Sequence, residues 1–169
     1  MRHKIKLLAF ISNVFVATFS SGASMNEIDY EKMYLLDAEN LAEQGILETF
    51  NEVKDELAIY NPKIVTPTES MISDSYKIQF ENNVFEIYSP SIIDGEGRSW
   101  GRATFTFFEI VNAHLVNSNV KFYALYNGND LGGIFLNLDS YQNTIKKIER
   151  KTDLPYLPTN KYPLYGQPN

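Results

Sequence analysis

No cysteine occurs anywhere in the 169 residues. Its absence excludes disulfides, thiolate metal sites, a thiol nucleophile and lipid attachment at a cysteine behind an export signal. Secreted animal domains of this size usually carry disulfides, so an exported chain without them points to a bacterial periplasm. Histidine is scarce as well, with only His3 and His114. A zinc site or a hydrolytic triad needs spaced partners, and the sequence holds neither a histidine cluster nor a nucleophile elbow. Positive charge is short: 15 Lys and Arg stand against 21 Asp and Glu, a formal net charge of −6. The main apolar run, residues 7–19, falls below the ~20 residues needed to cross a bilayer.

What the chain does have at its start reads as an address. Arg2, His3, Lys4 and Lys6 form a positive flank, the apolar run follows, and Ser20-Ser21-Gly22-Ala23 supplies the small residues a signal peptidase accepts. A cleavable signal peptide is therefore expected over residues 1–23, with cleavage near Ala23, leaving residues 24–169 as a single domain in the periplasm. A buried N-terminal helix would leave the positive flank and the small-residue patch without a reason. Cleavage removes Arg2, Lys4 and Lys6 and no acid, which takes the formal charge from −6 to −9. Such a surface repels nucleic acid and anionic lipid heads, whereas a basic protein partner suits it. Eleven Phe and 11 Tyr provide the packing area that disulfides do not.

Periodicity then lays out the elements. Asp37 is placed to cap a helix running to about Tyr60, with Leu41, Ile46, Phe50, Val53 and Leu57 on one face. Gly45 weakens its first turns. Residues 76–80 and 84–88 alternate around Glu81-Asn82-Asn83 and should pair as a hairpin. A polar loop over 89–99 precedes a helix over 101–115, on which Phe107, Phe108 and Val111 share a face. Residues 120–126 and 131–136 form a second strand pair around Asn127-Gly128-Asn129-Asp130, and a short helix covers 139–150. The tail from Lys151 holds Pro155, Pro158, Pro163 and Pro168, so it should cross the surface as neither helix nor central strand. The order α-β-β-α-β-β-α predicts an α+β domain, with helices packed on one face of a mainly antiparallel four-stranded sheet.

Several motifs remain to be weighed. His114 sits near a helix end and reads as a carbonyl-capping or edge-packing residue rather than a catalyst. Asp94-Gly95-Glu96-Gly97 puts two carboxylates on a loop without calcium-ligand spacing. Trp100, the sole tryptophan, lies in Ser99-Trp100-Gly101-Arg102, either as a binding anchor or as a lid on the core with Arg102 paired to a local acid. Asn127 and Gly128 suit a tight turn, but Gly132-Gly133 inside a strand points to a bulge or a close backbone approach. Lys151-Thr152-Asp153-Leu154-Pro155-Tyr156-Leu157-Pro158 could be a ligand for an aromatic groove, or simply be held on its own domain by Tyr156, Leu157 and Tyr165.

Ser99-Trp100-Gly101-Arg102, Phe108-Glu109-Ile110-Val111-Asn112, Asn127 to Gly133 and Lys151 to Pro158 together resemble a family of small uncharacterised bacterial proteins. The resemblance spans residues 34–168 and implies no activity and no catalytic residues. In size, acidity and layout the chain is also similar to bacterial toxin-immunity proteins. The expectation is thus an exported, non-catalytic binding protein without cofactor or metal. Trp100, Arg102, Asp94, Glu96, Asn129 and Asp130 are its candidate contacts with a basic protein partner. The competing expectations are a cell-envelope hydrolase using a carboxylate pair from Asp94, Glu96, Glu109 and Asp130, and an envelope scaffold or small-ligand carrier. Oligomeric state is not legible.

Overall fold

The computed structural model describes residues 28–161 and 165–167, so the expected signal peptide lies outside the described residues. The first helix begins as its cap dictates. Asp37 is extended, and its carboxylate accepts from the backbone N–H of Glu39 (2.8 Å) and Asn40 (3.1 Å). Helix α1 (Ala38–Asn40) runs into a widened turn, Leu41–Gly45, where Glu43 and Gln44 leave helical geometry. Helix α2 (Ile46–Tyr60) restarts after it. The break strips α2 of its N-terminal partners, and a distant side chain replaces one. Glu69 accepts from the Leu47 N–H at 2.8 Å and, on the same oxygen, from the buried Tyr76 hydroxyl at 2.6 Å. Burial, with that carboxylate alongside, keeps the Tyr76 hydroxyl protonated well above the ordinary phenol range.

Both expected hairpins form, but each recruits a third strand. Strands β3 (Ser75–Phe80) and β4 (Asn83–Tyr88) are joined by β2 (Thr68–Ile72), in the order β2-β3-β4. Strands β5 (Val120–Leu125) and β6 (Gly132–Asn137) are joined by β1 (Tyr34–Leu35), in the order β1-β6-β5. Two antiparallel three-stranded sheets therefore replace the single four-stranded sheet expected from the alternation. β1 has two residues, and β2 is exposed at Thr68, Ser70, Met71 and Ile72, so neither carries an apolar alternation to announce it.

Helix α3 (Glu96–His114) begins five residues earlier than its apolar stripe suggests, and α4 (Leu138–Ile145) ends five earlier than expected. α2, α3 and both sheets feed one main core, in which Phe50, Phe107, Phe108, Ile78, Ile87 and Phe122 are essentially inaccessible to solvent. A second cluster lies on the other side of β5 and β6, where Tyr123, Leu125, Ile134 and Leu136 meet Ile28, Tyr141 and Ile148. The β1-β6-β5 sheet is thus covered on both faces, not one. That is why residues 120–125 read as a nearly unbroken apolar run.

The glycine pair in β6 has a packing reason. β1 pairs beside it, with Tyr34 opposite Gly133 and Leu35 opposite Gly132. A Cβ on Gly132 would stand 2.7 Å from the Met33 sulfur, and one on Gly133 would enter the Phe122 ring. The tail opens with a single 3₁₀ turn, Lys151–Asp153, and its described residues then pack against β5 and α3. Tyr156 exchanges backbone hydrogen bonds with Ala124 (2.8 and 2.9 Å), and its hydroxyl donates to the Tyr126 carbonyl at 2.7 Å. Tyr165 meets Phe105 edge-on at 5.7 Å, whereas Leu157 stays exposed.

Candidate functional site

The turn between β5 and β6 is the structural centre of the region the motifs singled out. Tyr126 follows β5 with φ of 58°, a left-handed conformation that costs a large side chain about 1–2 kcal/mol. Asn127 then leads into a single 3₁₀ turn, Gly128–Asp130. A depression lies on each side of that turn, and Leu131 lines both.

The larger depression, about 520 Å³, opens between the turn and the β1 segment. Met33, Leu35, Leu36 and Tyr126 contribute to its walls, and Asn129 and Asp130 bring polar groups to it. The smaller one, about 230 Å³, is lined by Trp100, Gly97, Gly101 and Thr104 of α3, by Gly128, and by Gln167 of the tail. Its floor is tight. Gly101 and Gly166 pack backbone to backbone, and a Cβ on either would collide with the other segment.

The structure divides the six candidate contacts among three places. Trp100 is half-buried at the smaller depression, and Glu96, exposed, opens α3 one residue before Gly97. Asn129 and Asp130 are exposed at the larger one, and Asn129 donates to Glu39 at 3.4 Å. Trp100, Asn129 and Asp130 thus border two depressions around one turn.

Asp94 and Arg102 belong elsewhere. The guanidinium binds both carboxylate oxygens of Asp94, with Nη2 to Oδ1 at 3.0 Å, and Nε donates to the Ile87 carbonyl. Only 13% of the Arg102 side chain and 19% of the Asp94 side chain reach solvent. Arg102 stands two positions beyond Trp100, about 200° around the helix, which turns it toward the end of β4. The guanidinium holds the Asp94 carboxyl below the usual carboxylate range. This pair clamps the 89–95 loop onto β4 and α3.

The carboxylates of the hydrolase expectation do not share a depression here. Asp94 is clamped, and Glu109 lies thirteen residues along α3 from Glu96, about 20 Å at 1.5 Å per residue. Asp130 is the one acid of the four that lines either depression. Among the described residues no group of three or more His, Asp or Glu is placed to hold a metal. His114 is buried between Phe50 (5.6 Å) and Phe80 (5.2 Å). Its Nδ1 lies 2.8 Å from the Ile110 carbonyl, and Val65 N–H donates to its Nε2 at 3.1 Å. It bonds a carbonyl of the last helical turn, as its position at a helix end suggests, but packs among core side chains rather than at an edge.

Sequence reasoning missed Met33, Leu35 and Leu36, which come from a segment of mixed polarity, and Gln167 from the tail. The unexplained Gly132-Gly133 was the available signal, since close approach requires something to lie across it. Compared with protein-family models, curated proteins and solved structures, the chain gives no match.

Proposed function

We propose that this chain is an exported, non-catalytic immunity-type protein that acts in the periplasm by binding and occluding a basic bacterial toxin. The observation that carries the reading is the meeting of two motifs, 27 residues apart from Trp100 to Asn127, around one solvent-facing turn bordered by Asp130 and Glu39. A tryptophan beside small residues and apolar depressions offers anchoring area, and the acids with a net charge of −9 after processing attract a cationic partner. Electrostatic attraction raises the association rate, which favours a protein that must intercept a toxin.

A small-ligand carrier is the second reading, favoured by the 520 Å³ depression, which falls within the range of small-molecule sites. Co-expression separates the two. The chain is produced together with the exported product of each gene adjacent to its own, and growth is followed. Protection that is lost with Asn129→Lys combined with Asp130→Lys, and kept with the exposed control Glu109→Gln, supports occlusion. Growth arrest by a neighbouring product that the chain does not relieve, or arrest by none of them, counts against it. Edman sequencing of the periplasmic protein tests export, with a first residue near Ser24 expected.

A further inference from the structure

The larger depression suits one kind of side chain. Its walls are apolar at Met33, Leu35, Leu36 and Leu131, aromatic at Tyr126, and acidic at one place, Asp130. Asp130 is exposed and has no ion-pair partner among the described residues, unlike Asp94, whose charge Arg102 already occupies. Glu39, reaching Asn129, adds a second negative charge beside it.

We propose that this depression is an anchor pocket for an arginine of the protein partner. Arginine matches each part of the site. Its methylene stem lies along Met33, Leu35 and Leu36, as long charged side chains do when they cover apolar surface. Its guanidinium is flat, weakly hydrated and able to meet a carboxylate with two parallel hydrogen bonds, which Asp130 accepts. The same plane stacks on a tyrosine, and Tyr126 stands in the wall. A lysine would bring a strongly hydrated point charge and lose both the fork and the stacking. The Gln44, Ser73, Asp74 and Glu81 residues that share positive φ with Tyr126 do not line this depression.

This inference rests on the occlusion reading and names the partner's chemistry at that site. The test uses a surrogate for the arginine side chain. The protein purified from its host is titrated with n-butylguanidinium chloride while its amide resonances are followed, with sodium pentanoate as the control of similar length. Saturable shifts are expected at Leu35, Leu36, Asn129, Asp130 and Leu131, and none of these with pentanoate. Asp130→Asn should weaken the guanidinium by about fivefold or more, with the remaining spectrum unchanged because the side chain is exposed. Shifts spread over the surface acids, or equal binding by Asp130→Asn, would overturn the pocket. The co-expression result stands apart from this. Protection without guanidinium binding removes the pocket and leaves immunity, whereas binding without protection keeps the pocket and removes the toxin.

Discussion

The two sheets have the same plan, a hairpin with one added edge strand, yet they are packed in opposite ways. The β1-β6-β5 sheet has core on both faces, with α3 packed on one side and Tyr123, Ile134 and Tyr141 on the other. The β2-β3-β4 sheet buries Tyr76, Ile78, Phe80 and Ile87 but turns Gln79, Val84 and the Lys77–Glu86 pair toward solvent. Coverage on both faces leaves no slack, and the chain has glycines where the side chains of Met33, Leu36 and Phe122 come close. Coverage on one face leaves room for polar residues. The candidate binding turn grows from the tighter sheet, which gives it a rigid base.

The sharpest way to break this contrast is to add one methyl group to the covered sheet. In Gly133→Ala the new Cβ meets Phe122, which cannot retreat because it already packs on Phe108 (5.0 Å) and Phe135 (4.5 Å). We expect a loss of about 1–3 kcal/mol, read by urea denaturation. Unchanged stability would show that the sheet is looser than its packing indicates.

A comparable effect, but one that depends on pH, is expected at the clamp on the open sheet. Asp94 has a carboxyl pKa lowered in the folded state, so its pairing stabilises the protein above about pH 4, the ordinary carboxylate value. That contribution falls away as the pH drops through the lowered folded value. Arg102→Met should cost about 2 kcal/mol at pH 7, less than a fully buried pair, and should flatten the acid limb of the stability curve. Melting profiles from pH 7 to pH 2.5 for both proteins check this. An acid limb of the same steepness in the variant would show that the clamp does not titrate with folding. The smallest effect belongs to the exposed face, where Val84 is 60% accessible. Val84→Ser should stay within about 0.5 kcal/mol, and a larger loss would mean that this face is covered in the folded protein.

Much of this architecture was legible because it is local. The two hairpins follow from alternation and from turn residues within a few positions, and Asp37 caps the amides just ahead of it. What escaped was non-local. β1 is too short to show a period, and β2 takes its place through Glu69, which reaches back 22 residues to Leu47 and meets Tyr76. At the site, Trp100 could be singled out as a lone tryptophan, but its surroundings include Gly166 and Gln167 from the far end of the chain. The bidentate lock of Arg102 on Asp94 was one of the two readings its neighbourhood allowed, and only geometry reveals that both charges are already engaged.

The two backbone bonds between Tyr156 and Ala124 sit on the side of β5 that no strand occupies. They act as a stopper on an otherwise adhesive rim. Trimming the chain before Pro155 would bare the amide and carbonyl of Ala124 and give two molecules a place to zip together. Purification tags or fusions that pull this segment away therefore invite pairing at that edge.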